Sequence, residues 1–130
     1  MTPEFRSNTR ILLVEDNLIN QEVARELLDE VDLNIEIASN GKEAVEMVNA
    51  GDYDLILMDV RMPVMDGIEA TRQIREQFPD KKLPIIAMTA NAFSEDQKQC
   101  LDAGMDDFIA NPVDPDLLYQ KVAHWLSGTE

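Results

Sequence analysis

Short apolar runs alternate with longer amphipathic stretches along the 130 residues. "ILLV" (11–14) is continuous, as in a strand buried on both faces. "NIEIAS" (34–39) alternates, as a half-exposed edge strand does. "DLILMD" (54–59), "PIIAMT" (84–89) and "DFIA" (107–110) complete five runs of strand length. Between them, apolar residues recur at helical spacing. Ile19, Val23, Leu27 and Leu28 form one stripe, and Ala44, Val45 and Val48 a second, closed by Gly51. Ile68, Thr71, Ile74 and Phe78 form a third. Ser94 and Gln97 have the spacing of a capping box and open a fourth helix that ends near Gly104. Asp114 followed by Pro115 opens a fifth, with Leu118, Val122, Trp125 and Leu126 as its buried stripe.

Strict alternation of five strands and five helices predicts an α/β fold, a doubly wound parallel sheet with helices on both faces. Right-handed crossovers leave few topologies. The flavodoxin-like order 2-1-3-4-5 suits an alternating second strand, because it puts that strand at an edge. Residues 9–127 form one domain. Residues 1–8 lack periodicity and read as a tail, in which Glu4-Phe5-Arg6-Ser7 is consistent with a cloning-site remnant; residues 128–130 are a short second tail.

Composition narrows the partners. There are 26 acidic against 11 basic residues, a formal net charge of −15. Nucleic acid and anionic membrane both require a basic face, so neither is expected as a partner, whereas cations are. The single Cys100 allows no internal disulfide and fits a reducing, cytoplasmic setting. No apolar run has transmembrane length. Cys100 and Trp125 read as core residues, His124 as a surface residue.

In doubly wound sheets ligands bind beyond the carboxyl ends of the strands. Glu15 and Asp16 follow the first strand, and Asp59, Thr89 and Asn111 end the third, fourth and fifth. Three carboxylates and a hydroxyl therefore converge on one rim. Each acid alone is explained by capping a helix or loop. Together they repel one another unless compensated, and an oxygen-only set suits a hard cation such as Mg²⁺. In the loop "DVRMPVMDG" (59–67), Pro63 stiffens the turn and Gly67 permits a tight helix entry.

"LLVEDN", "LILMDVRMPVMDG", "AMTA" and "DDFIANP" resemble, in order and spacing, the receiver (phosphoacceptor) domain of two-component response regulators. "ILLVEDNLINQEVARELL" is similar to receivers of hybrid sensor histidine kinases. The resemblance covers residues 9–127. It implies that Asp59 takes a phosphoryl group from a phosphohistidine and that Asp16, Asp59 and the backbone carbonyl of Arg61 ligate Mg²⁺. Glu15 would act through a metal-bound water. Thr89 would hydrogen-bond the phosphoryl oxygens, and Phe108 matches the aromatic position that changes rotamer on activation. Such a domain catalyses its own phosphorylation and dephosphorylation without being a conventional enzyme. Its partner is a histidine kinase or a histidine phosphotransfer domain, and its expected state a monomer or weak dimer. The weakly anchored fourth helix, with Phe93, Cys100 and Leu101, is its expected moving part.

The chain departs from the family at Asn111, where a lysine is the rule. Two unit charges ~4 Å apart interact by ~4 kcal/mol at an effective dielectric of ~20, so its loss should be felt. A natural variant, an engineered Lys→Asn change and a degenerate receiver each account for it. Arg61, two residues past Asp59, is long enough to serve as a substitute cation. The intact Glu15, Asp16, Asp59 and Thr89 favour a working receiver over a phosphate-independent interaction domain. An aspartate-nucleophile phosphohydrolase would need a second Asp where Arg61 stands. A flavin carrier would need a phosphate cradle where the acidic "EDNLIN" stands.

Overall fold

The computed structural model describes residues 9–30, 33–51, 53–59, 65–79, 83–89, 95–110 and 114–127. Within them β1 (Arg10–Val14), β2 (Asn34–Ala38), β3 (Leu55–Asp59), β4 (Ile85–Thr89) and β5 (Asp107–Ala110) alternate with helices. The helices are α1 (Leu18–Asp29), α2 (Gly41–Ala50), α3 (Gly67–Gln77), α4 (Glu95–Ala103) and α5 (Pro115–Ser127). The strands form one parallel sheet in the order β2-β1-β3-β4-β5. That is the expected flavodoxin-like topology. Its edge strand β2 exposes Asn34 and Glu36.

Successive strand side chains point to opposite faces, and two cores result. Leu12, Val14, Ile56, Met58, Ile85 and Ala87 pack against Ala44 and Val48 of α2, Ala70 and Ile74 of α3, and Cys100 of α4. Ile11, Leu13, Leu55, Leu57, Ile86 and Met88 pack against Ala24 and Leu28 of α1 and Leu118 and Val122 of α5. The continuous apolar strands thus feed both layers. Phe108 lies half-buried against the first core, while its neighbour Ile109 belongs to the second.

The helix starts follow local chemistry. Asn17 caps α1, Asn40 caps α2 and Asp66 caps α3, each accepting backbone N–H bonds from the first turn. Asp114 accepts from Asp116 N at 3.0 Å, with Pro115 at the first helical position as expected. Ser94 lies outside the described residues. Gly104 closes α4 at φ +114°, a conformation open to glycine at little cost. A Cβ there would also lie 2.7 Å from Arg75 Cγ.

Two expected stripes are displaced. On α1 the buried residues are Gln21, Ala24 and Leu28, whereas Ile19 is 73% and Val23 44% exposed. The inward face carries a polar residue and the outward face carries apolar ones, so hydrophobicity alone misphases this helix. On α4, Cys100 and Ala103 are buried and Leu101 is exposed. Phe93 lies outside the described residues. His124 is exposed, and Trp125 is half-buried against the second core.

The amino-terminal end of the sheet is held by paired charges. Arg10 pairs with Glu36, and its guanidinium lies 4.7 Å from the Tyr53 ring centroid. Tyr53 donates its hydroxyl to Glu36 at 3.0 Å. Arg75 donates to the Gly104 carbonyl and to Asp106, which also accepts from Ile85 N. Asp107 accepts from Lys121 Nζ at 2.6 Å, Trp125 Nε1 at 2.8 Å and Phe108 N at 2.8 Å. Burial pushes the Asp107 carboxyl up, but these donors outweigh it and hold the group below its ordinary value.

Candidate functional site

The sheet register creates the site. β1 and β3 are neighbours, with Val14 opposite Met58. The next residues along each strand, Glu15 and Asp59, therefore emerge side by side at the carboxyl end. Asp16 follows at once. One oxygen from each of Glu15, Asp16 and Asp59 lies within 4.8 Å of the others. Thr89 ends the adjoining β4, one residue beyond Met88, which is paired with Asp59. Ala110 ends β5 opposite Thr89. The Thr89 side chain, Arg61 and Asn111 lie outside the described residues.

Glu15 is the unusual member. It is 1% exposed. Its backbone N–H donates to the Ala38 carbonyl at 3.0 Å, and its Oε2 accepts from Asn17 N at 3.1 Å. Its Oε1 is buried with no hydrogen-bond partner among the described residues. The carboxyl pKa is pushed up to about 8. Burial is the largest cause; the Asn17 N–H opposes it, and the Asp59 and Asp16 carboxyls add to it. Contact between carboxyl groups is favourable only when they share a proton or face a cation.

The far side of the rim is fitted closely. Gly67 opens α3 directly beneath Asp59. A Cβ at Gly67 would lie 2.2 Å from the Asp59 carbonyl oxygen and 2.9 Å from Met58 Cγ. No side chain fits without moving the strand that carries Asp59. Sequence reasoning attributed this glycine to helix entry; the close approach to Asp59 is the additional reason.

The donor set fits a hard divalent cation. It offers three carboxylates in reach of one another, one of them buried with an oxygen that has no donor among the described residues. Sequence reasoning found these three acids and missed two residues that hold them. Asn17 both caps α1 and donates to Glu15, a role legible from its place as an N-cap directly after the acidic pair. Gln21 donates its Nε2 to the Glu15 carbonyl at 2.6 Å. Its burial, against the apolar periodicity, is the only signal it gives.

The family model of the response regulator receiver domain matches residues 11–123, and the chain belongs to that family. Hybrid signal transduction histidine kinase B of Dictyostelium discoideum is 44% identical over 91% of the chain, which spans 7% of that kinase's length. Among solved structures, a co-crystal from Saccharomyces cerevisiae pairs the histidine phosphotransfer signaling protein Ypd1 with the receiver domain of its downstream response regulator Ssk1. It matches with a TM-score of 0.87 at 32% identity, covering 96% of this chain and 90% of that one. The receiver domain of sensor histidine kinase PA1611 from Pseudomonas aeruginosa PAO1 carries a magnesium ion coordinated in its active-site cleft. It matches with a TM-score of 0.85 at 42% identity, covering 91% and 97%. The protein is a receiver domain of two-component phosphorelay signalling. Among the described residues no helix is long and apolar enough to cross a membrane.

Proposed function

We propose that Asp59 accepts a phosphoryl group from a phosphohistidine, with Mg²⁺ held by Asp16, Asp59 and the Arg61 carbonyl, and with Glu15 acting through a bound water. The observation that carries this reading is the buried Glu15 Oε1, with no hydrogen-bond partner among the described residues, beside two further carboxylates at adjacent strand ends. In the transfer, an Asp59 carboxylate oxygen forms a bond to phosphorus as the phosphorus–nitrogen bond to the imidazole breaks. The imidazole leaves with the electron pair and takes a proton from solvent. Bound Mg²⁺ supplies the positive charge that offsets repulsion between the carboxylate and the phosphoryl oxygens. Thr89, at the end of the next strand, donates its hydroxyl to a phosphoryl oxygen, and Asn111 offers an amide where the family has a lysine. Phe108, on β5 and packed against the core beneath α2, α3 and α4, responds to the new charge by changing rotamer.

The phosphoryl donor is a histidine phosphotransfer protein docking on α1. Leu18 is 74% exposed, and with Ile19 and Val23 it forms an apolar face on a chain of net charge −15. Exposed apolar patches of this kind mark interaction sites. The face begins two residues after Asp16, next to the acceptor rim. The yeast complex, in which a phosphotransfer protein is paired with a receiver domain, supports the choice of partner.

Incubation with acetyl phosphate and Mg²⁺ tests the chemistry. The intact protein should gain the mass of one phosphoryl group, labile to hydroxylamine and absent without Mg²⁺. A chain that takes up no phosphoryl group under these conditions is instead a phosphate-independent interaction domain.

A further inference from the structure

Gln21 is the one polar residue on the buried face of α1. Its amide reaches back to the carbonyl oxygen of Glu15 at 2.6 Å, inside the domain. That carbonyl belongs to the peptide joining Glu15 to Asp16, so one hydrogen bond sets the plane from which both side chains depart. The remaining groups of Glu15 are held independently. Its N–H is tied to Ala38, and Oε2 to the Asn17 N–H. With Gln21 included, three of the four polar groups of Glu15 are anchored, and Oε1 alone has no hydrogen-bond partner among the described residues, while the carboxyl lies in reach of Asp16 and Asp59. An apolar residue would satisfy the packing of α1 at this place but would leave the Glu15 carbonyl free to rotate.

We infer that Gln21 is a positioning residue for the acidic site, holding the Glu15–Asp16 peptide so that its two carboxylates converge with Asp59 on one cation. The inference rests on the reading of this rim as a Mg²⁺ site. Partners that orient metal ligands typically change affinity by 10- to 100-fold when removed. Gln21 acts through main-chain geometry and does not touch the ion.

The test is a calorimetric titration of the full chain with Mg²⁺ at neutral pH, well below the unfolding temperature. Gln21→Met keeps the length and removes the donor; Gln21→Asn keeps the amide but falls a methylene short. Both should raise the Mg²⁺ Kd about tenfold. Leu28→Ala, a cavity in the same helix away from the rim, should lower the unfolding temperature and leave the Kd unchanged. Wild-type affinity in both Gln21 variants would overturn the inference while leaving the site intact, as would an equal loss in Leu28→Ala. Absence of Mg²⁺ binding by the unmodified protein would overturn the reading of the rim itself, and the inference with it.

Discussion

The two ends of the sheet treat their carboxylates in opposite ways. At the amino-terminal end Glu36 and Asp107 face Arg10, Tyr53, Lys121 and Trp125, and both acids are held below their ordinary pKa. At the carboxyl end Glu15 is buried beside Asp16 and Asp59, and its carboxyl is pushed up to about 8. Carboxylates at one end are paired with cationic and N–H or O–H donors, whereas at the other three crowd together, with Glu15 buried among them. Paired acids fasten α5 to β5 and β1 to β2. Burial beside two like groups disfavours the charged form of Glu15, and on the proposed Mg²⁺ reading a cation would relieve that cost.

The contrast is broken most severely at Asp59. Asp59→Ala should cut phosphoryl incorporation about 100-fold or more, to background. The protein should stay folded, because one like charge leaves the rim. Phosphoryl label counted after acetyl phosphate treatment, with circular dichroism on the same sample, checks both halves.

Glu15→Gln should split the two roles of the rim. Without metal, the unfolding free energy at pH 7 should rise by about 1–3 kcal/mol, because a buried acid is replaced by a neutral amide. Mg²⁺ affinity should fall about tenfold. Urea unfolding and calorimetry report the two effects separately.

Asp107→Asn should act in the opposite sense. The folded pKa of Asp107 is depressed, so its contribution is present above the unfolded value of 3.8 and is lost as pH falls through the folded value. The substitution should cost about 1–3 kcal/mol at pH 7, with a penalty that shrinks on acidification. A penalty independent of pH would show that packing, and not the Lys121 pairing, holds α5.

The smallest effect is expected at Asn111. Restoring a cation with Asn111→Lys should weaken Mg²⁺ binding on the order of fivefold, since ~1 kcal/mol of repulsion between separated, solvent-screened charges is enough. Tighter binding by this variant would sink the electrostatic account of the rim.

Much of this contrast was legible in the residues. Strands buried on both faces leave continuous apolar runs, and edge strand β2 betrays itself by exposed Asn34 and Glu36 alternating with apolar neighbours. The acids at strand ends follow from topology, because a parallel sheet brings all its carboxyl ends to one rim. The phase of α1 was not legible. Leu18, Ile19 and Val23 face solvent and Gln21 faces inward, the reverse of what burial alone selects. Gln21 is drawn inward by its hydrogen bond to the Glu15 carbonyl, and periodicity cannot tell an exposed apolar face from a core face. The pairing of Asp107 with Lys121 and Trp125 was hidden for another reason. It joins residues 14 and 18 positions apart through tertiary contact, with no local spacing to announce it.

The central claim is that the rim is destabilising until a divalent cation arrives. Its most direct test is the unfolding free energy from pH 4 to 9, with and without saturating Mg²⁺ at matched ionic strength. Glu15 releases its proton near 4.5 in the unfolded chain and near 8 in the fold. Without Mg²⁺ its contribution should therefore fall across that window and level off above it. With Mg²⁺ the fall should vanish, and in Glu15→Gln it should be absent in both conditions. A fall of the same size with and without Mg²⁺, or one that survives in Glu15→Gln, would contradict the account.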